Sequence, residues 1–280
     1  MLRSLILAFA CSVCAAALAA PDAVVHGLDH IPLAVKDLEQ SKADFEALGF
    51  VLKPGRPHAN GLRNAHAKFP DGTEIELIAA PAAVDALTSD YRNWLKGGDG
   101  PAFLGLYTPD FNALIERLAR FGLALDRKGD LVTFSESADL RRLFFARRQH
   151  SPTDRPEHFA HANTALSLAG VWLAGAVAEQ HLLLKLGATP TDNPPCGPFG
   201  SGSAVFSLSE GEITFLPAAA RLAPDRSIVA ATVTVRNLAT ARSILTANRI
   251  PYVQVAGCAR DSLWVRPADT HGLWLELRQL

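Results

Sequence analysis

The fold is decided by one stretch, Leu28–Ala79, which reads LDHIPLAVKDLEQSKADFEALGFVLKPGRPHANGLRNAHAKFPDGTEIELIA. In its first strand, branched aliphatic residues alternate with smaller ones, a pattern typical of a strand that is covered on one face. We predict a helix from Asp37 to Gly49, because an aspartate caps the free N–H groups at a helix start and a glycine takes the left-handed position at its end. Short strands follow, and the last, Thr73–Ala79, carries Glu76. The stretch therefore predicts a strand–helix–strand–strand–strand (βαβββ) module.

Three further copies of this module follow along the chain. In the second and fourth copies, Asp110 and Asn237 take the capping position of Asp37, and the third copy is the weakest match. A single module leaves the concave face of its curved sheet uncovered, and two modules side by side close that sheet into a half-barrel around a cleft. The predicted fold class is therefore α+β, with four βαβββ modules paired into two curved mixed sheets.

The modules divide the mature chain into two predicted halves. The first half spans 21–150, with modules at 28–81 and 101–150, and the second spans 151–280, with modules at 157–220 and 227–280. The stretch Ala82–Gly100 is polar, and its segment Lys96–Gly100 is predicted to be a linker between the first two modules. The sequence leaves open whether module 1 pairs with 2 and module 3 with 4, or 1 with 4 and 2 with 3.

The first 20 residues have the pattern of a secretory signal peptide. Arg3 precedes an apolar run from Leu5 to Ala19 that is too short for a stable membrane span, and Ala17–Ala19 has the small-x-small form of a cleavage site. We therefore expect cleavage near Ala19 or Ala20 and a periplasmic or secreted mature protein. No later apolar run is long enough to cross a bilayer, so no membrane association is expected after cleavage.

Charge and cysteine content narrow the partners and the compartment. The chain has 27 Lys and Arg against 28 Asp and Glu, which gives no electrostatic basis for binding nucleic acid. Four arginines at positions 141, 142, 147 and 148 form either a solvated strand face or an anion-binding rim. The mature chain keeps Cys196 and Cys258, which in an oxidising compartment either form a disulfide or remain buried thiols.

The first and fourth modules carry motifs that resemble a known family. Residues 28–38 (LDHIPLAVKDL), 48–50 (LGF) and 72–77 (GTEIEL) resemble the vicinal oxygen chelate (VOC) superfamily, and more narrowly a glyoxalase-like domain protein. The closing segment 269–277 (DTHGLWLEL) resembles the terminal strand of that superfamily. The resemblance implies the glyoxalase/bleomycin-resistance/dioxygenase-like fold. It also implies a small-molecule substrate or ligand, because the superfamily includes glyoxalases, ring-cleaving dioxygenases, epimerases and drug-sequestering proteins.

The resemblance further implies a divalent metal held on the concave sheet by histidine and carboxylate. His30 matches the ligand on the first strand, Glu76 matches the ligand on the last strand, and Glu276 takes that last-strand position in the fourth module. Imidazole and carboxylate suit Zn, Fe, Mn or Ni. The matching positions of the second module fall near Phe103 and Phe145, which cannot bind a metal. We therefore hypothesise that modules 1 and 4 pair, since only that pairing brings His30, Glu76 and Glu276 together.

Two other histidine-bearing segments are candidates for the site. His58 and Asn64 lie in the loop 55–66 and resemble the GxH…N pattern of glyoxalase-like proteins. This implies that they line a pocket and that His58 is an acid or base, with a plain surface turn as the alternative. Glu276 is the second candidate for moving a proton. The H-x-x-H spacing of His158 and His161 marks either a metal pair or part of the proline-rich boundary between the halves.

The sequence supports two functions of different kinds. The first is an exported, metal-assisted lyase, isomerase or related enzyme that acts on a small oxygen-rich substrate chelated by the ion. The second is a metal-free protein of the same fold that binds or sequesters a small molecule. The retained His30 and Glu76 favour the enzyme, whereas the missing ligands in the other modules favour the binding protein. The substrate, the metal and the oligomeric state are not fixed by the sequence.

Overall fold

A computed structural model of the chain describes residues 23–134, 137, 139–148, 150–192, 196–200, 203–256, 258 and 260–280. The predicted signal peptide at residues 1–20 lies outside the described residues. Within them, four βαβββ modules build curved mixed sheets, and the predicted α+β fold class is confirmed. No helix in these ranges combines the length and the hydropathy that a bilayer crossing requires.

The first module begins with two strand segments that are nearly continuous. It consists of β1 (Gly27–Leu28), β2 (His30–Ala34), α1 (Leu38–Ala47), β3 (Lys53–Pro54), β4 (Arg63–Lys68) and β5 (Glu74–Ala79). Asp37 caps α1 by accepting from the N–H of Gln40, and Gly49 takes a left-handed φ of 91° after its end. Both predicted ends of the helix are therefore confirmed.

The polar stretch Ala82–Gly100 contains the helix α2 (Ala86–Leu95), and the predicted linker Lys96–Gly100 follows its end. A capping box between Asp85 and Thr88 fixes its start. Its buried stripe consists of Tyr91, Trp94 and Leu95, which pack on the concave face of the first module. The sequence did not predict this helix, because polar residues dominate the composition here, while the few apolar ones share one face at helical spacing.

The second module pairs with the first. It consists of β6 (Gly100–Pro101), β7 (Leu104–Tyr107), α3 (Phe111–Ala119), β8 (Asp126–Lys128), β9 (Leu131–Thr133) and β10 (Leu143–Ala146). Its first strands run antiparallel to those of module 1, with β7 against β1 and β6 against β2. Asp110 caps α3 as predicted.

The third and fourth modules share one eight-stranded sheet. They consist of β11 (Ala165–Ala174), α4 (Val177–Lys185), β12 (Thr189–Thr191), β13 (Ala204–Ser207), β14 (Glu212–Leu216), β15 (Ile228–Val235), α5 (Leu238–Ala247), β16 (Tyr252–Val253), β17 (Ser262–Val265) and β18 (Trp274–Gln279). The two modules meet through the antiparallel pair β11 and β15. The hypothesis that modules 1 and 4 pair is therefore wrong: modules 1 and 2 are joined through their own first strands, and so are modules 3 and 4. Cys196 and Cys258 form a disulfide, which settles the open alternative.

The helices and the sheets enclose one apolar core that extends through both halves. Strand alternation sends Ile31, Leu33 and Leu77 toward α1 and this core, and it leaves the opposite, concave faces for other side chains. Polar contacts also join the halves. His271, in the turn before β18, lies between Asp44 of α1 and Asp99 beside β6, at 3.0 and 2.8 Å.

Candidate functional site

His30 and Glu76 meet on the concave face of the first half. They lie on the neighbouring parallel strands β2 and β5, where the register sets His30 beside Glu74 and Pro32 beside Glu76. The imidazole Nε2 of His30 lies 3.6 Å from Oε2 of Glu76, and the two side chains are 19% and 10% exposed. The structure thus brings together the two candidate ligands of the first module and leaves them partly accessible.

Each member of this pair is oriented by another side chain. Oδ1 of Asp29 lies 2.5 Å from Nδ1 of His30, and the amide of Asn64 donates to Oε1 of Glu76 at 2.6 Å. These contacts engage the far atoms of both groups and leave Nε2 and Oε2 toward each other. A carboxylate on the second ring nitrogen is the usual device that orients a metal-binding histidine.

A second histidine–glutamate pair on the same face was missed by sequence reasoning. His66 lies opposite Glu76 on β4, and its Nδ1 is 3.1 Å from Oε1 of Glu74. A signal was available, because Asn64, His66 and Lys68 alternate along β4 and must share one face, as Glu74 and Glu76 do on β5. The concave face therefore carries two crossed imidazole–carboxylate pairs.

The carboxylates make this face favourable for positive charge. Burial alone lowers the pKa of the His30 imidazole, but Asp29 and two nearby glutamates raise it to about 9. Burial raises the pKa of Glu74, yet the hydrogen bond and charge of His66, together with the charge of His30, bring it down to about 2. The face is therefore suited to hold a cation, either as protons on imidazole or as a metal ion.

The polar face ends in a buried ion cluster. Asp154, from the segment that joins the halves, lies 2.5 Å from Nζ of Lys53 and 2.8 Å from Nζ of Lys68. Nζ of Lys68 lies 3.7 Å from Glu74. The cluster connects the boundary segment to the crossed pairs.

Aromatic rings stand where the second module would have to supply a further ligand. The Phe144 ring lies 4.8 Å from the His30 ring, and Phe103 packs edge-on against Tyr91 of α2. Phe144, and not the predicted Phe145, takes the concave position, because Phe145 points into the main core. Burial, together with the charge of Glu76, raises the pKa of Tyr91 well above its ordinary value.

The predicted loop 55–66 ends earlier than expected, because Asn64 already belongs to β4 (Arg63–Lys68), while His58 lies before the strand and its Nε2 is unpartnered among the described residues. Nε2 of His58 and Oδ1 of Asn64 are both buried with no hydrogen-bond partner among the described residues. Gly55 makes room for Asn64, since a Cβ added there would lie 1.7 Å from Oδ1. The role of His58 as an acid or base therefore stays a prediction.

Glu276 lies in the other half, on β18. It is 3% exposed, accepts a hydrogen bond from Thr232 at 2.6 Å, and has a pKa raised by burial. Modules 1 and 4 belong to different sheets, so the structure does not bring Glu276 to His30 and Glu76. The grouping of three that the sequence suggested is not formed.

The two candidate ligands that remain, His30 and Glu76, are side chains of the types that bind divalent ions. Within the described ranges, no group of three His, Cys, Asp or Glu side chains has a geometry that could hold a metal. His30 and Glu76 supply one nitrogen and one oxygen, and the unpartnered Oδ1 of Asn64 belongs to the amide that binds Glu76. Such a set fits an ion that completes its coordination with water and with substrate oxygens.

The H-x-x-H pair has a structural explanation. Nδ1 of His161 accepts from the N–H of Val51 at 2.9 Å, and its Nε2 lies 2.8 Å from the carbonyl oxygen of Lys68. Nδ1 of His158 accepts from the N–H of Arg155. Backbone groups therefore occupy both nitrogens of His161. These hydrogen bonds connect the segment between the halves to the first module.

Comparison with known families places the sequence motifs in a wider context. A profile of the family described as "Glyoxalase-like domain" matches residues 28–186, which is more than half of the chain. No curated protein matches the sequence significantly.

Solved structures with the same architecture include several dioxygenases. The 2,3-dioxygenase LapB from Pseudomonas sp. KL28 superposes with a TM-score of 0.63 at 14% identity, covering 92% of this chain and 93% of that one. An extradiol ring-cleaving dioxygenase from B. fuscum gives 0.64 at 11% identity, covering 92% and 72%. The 2,2',3-trihydroxybiphenyl 1,2-dioxygenase from Sphingomonas wittichii RW1 gives 0.61 at 14% identity, covering 91% of each chain. At these identities the likeness is one of fold.

Proposed function

Because the chain belongs to the glyoxalase-like domain family of the VOC superfamily, we propose that it is an exported enzyme of the lyase or isomerase type, or a related one, acting on a small oxygen-rich substrate at a divalent ion held by His30 and Glu76. The observation that carries the proposal is the 3.6 Å approach of His30 Nε2 to Glu76 Oε2, with the far atoms of both groups held by Asp29 and Asn64. A bound Zn, Fe, Mn or Ni ion would polarise a substrate carbonyl or enediolate oxygen and so lower the cost of forming an anion.

The chain's own groups have separate tasks in this proposal. Asp29 accepts from Nδ1–H of His30 and keeps the Nε2 lone pair directed toward Glu76. Asn64 donates to one carboxylate oxygen of Glu76 and leaves the other available. His58, whose Nε2 is buried and unpartnered within the described residues, is the proposed group for moving a proton to or from the substrate. Tyr91 covers the concave face and limits the entry of water.

A metal-free binding protein is the second candidate, and one observation favours it. Phe103 and Phe144 occupy the face that the second module contributes, so no further ligand comes from that side within the described residues. In the absence of an ion, a protonated His30 supplies the positive charge between Asp29 and Glu76. The pair then forms a neutral floor beneath an apolar or aromatic ligand.

Turnover with and without metal separates the two candidates. The purified protein is depleted with a chelator, reloaded in turn with Zn, Fe, Mn and Ni, and offered compounds that carry two neighbouring oxygens. The enzyme proposal expects turnover only after reloading, with loss in His30→Ala and none in His181→Ala, which alters an exposed histidine on α4. Binding of the same compounds by the depleted protein, without turnover in any reloaded form, would instead support the second candidate.

The role of Asp29 offers a finer test of the same site. Asp29→Asn keeps the side-chain shape but removes the carboxylate that orients His30. Loss of such an orienting partner typically weakens metal binding about 10–100-fold. We expect the metal affinity of Asp29→Asn to fall by this factor in a competition titration with a chromogenic chelator. An unchanged ion affinity would show that His30 does not depend on Asp29 for ligation.

Export is part of the proposal and has its own test. It rests on the signal-like residues 1–20, and the disulfide between Cys196 and Cys258 is consistent with an oxidising compartment. Intact-mass measurement of the protein recovered from its natural host should give a chain beginning at Ala20 or Pro21. A chain that still begins at Met1 would contradict export by this route.

A further inference from the structure

The concave face of the second half carries a polar row that the proposed function does not use. Strand alternation places Thr234, Glu276, Arg278 and Trp264 on this face, because their neighbours along each strand enter the main core. The register sets Thr234 beside Arg278 and Glu276 beside Trp264. These groups are therefore neighbours across three adjacent strands.

Three polar groups of this row are buried and lack partners. They are Nε1 of Trp264, Nε of Arg278 and Oγ1 of Thr234, and none has a hydrogen-bond partner among the described residues. Trp264 is 0% exposed and Thr234 is 5% exposed. Leaving such a group buried and unpaired is destabilising, so partners are expected. All three can donate a hydrogen bond, and two of them can only donate, which calls for an acceptor-rich ligand.

One of the three unpartnered donors belongs to a guanidinium. Nη1 of Arg278 lies 2.5 Å from Oε1 of Glu212, and the guanidinium keeps its Nε–H unused. Glu276 is already engaged by Thr232, and burial raises the pKa of its carboxyl group. An acceptor group of a ligand would therefore meet up to three free donors, one of them on a guanidinium, which suits a carboxylate.

Aromatic side chains line the same face next to the polar row. The Trp172 and Trp264 rings lie 5.3 Å apart, and Phe199 packs against both at 5.4 and 5.7 Å. Phe199 belongs to the segment that starts at Cys196, which the disulfide to Cys258 holds over the rings. Phe199 is the partly exposed ring of the three, so a planar body would pack against this cluster on its side.

We propose that the concave face of the second half binds a small aromatic carboxylate, whose carboxylate accepts from Arg278 Nε, Thr234 Oγ1 and Trp264 Nε1 and whose ring packs among Trp172, Trp264 and Phe199. This site lies in the other sheet from His30 and Glu76 and needs no metal ion. It gives the second half a ligand-binding role of its own.

Calorimetric titration of the full mature chain with benzoate tests the proposal. We expect saturable binding of one benzoate per chain, weaker binding of acetate, which lacks the ring, and no change on adding a chelator. Arg278→Gln should weaken benzoate at least about tenfold, since hydrogen bonds to charged groups contribute about 1.5–3 kcal/mol each. Arg242→Gln removes the same charge from an exposed position of α5 and should bind as the unaltered chain does.

Two conservative variants keep the test valid if Arg278→Gln disturbs the fold. Trp264→Phe retains an aromatic ring but loses the N–H, and Thr234→Val retains the shape but loses the hydroxyl. Each variant should weaken the binding of benzoate severalfold, with a circular dichroism spectrum that does not change.

The absence of saturable benzoate binding by the unaltered chain would overturn the proposal. Equal affinity of these two variants and the unaltered chain would overturn it as well. Binding lost in His30→Ala but kept in all second-half variants would place the ligand in the first half instead.

Discussion

At the scale of single residues, Asp154 shows how one side chain stabilises two buried cations. It is 6% exposed at the side chain and contacts Nζ of both Lys53 and Lys68. Burial raises its pKa, but the hydrogen bonds from the two lysines bring it down to about 2. The folded state therefore favours the ionised form, and the stabilisation is full above the ordinary aspartate pKa of about 4 and is lost as pH falls through about 2.

Replacing Asp154 should be costly for this reason. Asp154→Asn leaves Lys53 and Lys68 buried without their counter-ion, and breaking a buried ion pair on one side costs about 3–5 kcal/mol. Urea denaturation at pH 7 measures the loss, and the difference from the unaltered chain should shrink between pH 4 and pH 2. Asp126→Asn on the exposed strand β8 is the matched control and should stay within about 0.5 kcal/mol. A loss for Asp154→Asn no larger than that of the control would contradict the account.

Residue-scale motifs pointed to two side chains that the structure brings together, while their role as metal ligands stays a prediction. His30 and Glu76 could be identified because each lies in a strand motif of recognisable form, and the structure brings them to 3.6 Å. The partners His66 and Asp154 could not be selected in the same way. His66 was indicated only by its alternation with Asn64 and Lys68 along β4, and Asp154 reaches Lys68 only after the chain has passed through the whole second module.

At the scale of elements, α2 is the feature that shapes the first concave face. Trp94 is 5% exposed and lies under two cations, with the guanidinium carbon of Arg142 at 3.7 Å and that of Arg226 at 4.7 Å from its ring centroid. Arg226 comes from the second half and also donates to the carbonyl oxygen of Trp94. The helix therefore closes the first half and connects it to the second.

Truncating the buried tryptophan of α2 should destabilise the protein strongly. Trp94→Ala removes a large buried ring and its cation contacts, and such core truncations cost about 3–5 kcal/mol. The neighbouring Asn93→Ala, at an exposed position of the same helix, should change stability by less than about 0.5 kcal/mol. Thermal and urea denaturation of the two variants provide the measurement. Equal stability of Trp94→Ala and Asn93→Ala would show that α2 is not part of the folded core.

Element prediction depended on how strongly each segment signals its ends. The capping residues Asp37, Asp110 and Asn237 each begin a helix in the structure, because their side chains accept from first-turn N–H groups. The helix α2 escaped prediction although it has a capping box, since its apolar face holds only three residues within a polar stretch. A helix that closes a cleft needs only a narrow apolar stripe, which composition alone does not reveal.

At the scale of the whole molecule, the pairing of modules was beyond the reach of the sequence. All four first strands present similar edges, and the choice between partners depends on long-range contacts that no local pattern encodes. The consequence was specific: the expected meeting of Glu276 with His30 depended on a pairing that does not form. The fold class was predictable because it follows from the repeat itself, whichever modules pair.

The contact between the halves should depend on pH through His271. Burial lowers the pKa of this imidazole, but the hydrogen bond and charge of Asp99, and then those of Asp44, raise it above its ordinary value. Its stabilisation is therefore complete below the unfolded pKa of about 6.5 and is lost as pH rises through the higher folded value. His271→Gln should destabilise the protein more at pH 6 than at pH 9 in urea denaturation. His181→Gln, on the exposed face of α4, should show no such difference. A pH-independent effect of His271→Gln would contradict the ionic account.

The ion content of the purified chain tests the central claim most directly. Elemental mass spectrometry after loading and desalting is expected to find roughly one divalent ion per unaltered chain, the number that one His–Glu pair can hold. The ion should be lost in His30→Ala and in Glu76→Gln, and it should be retained in Glu276→Gln, which alters a carboxylate of the other half. A full complement of metal in His30→Ala would contradict the account.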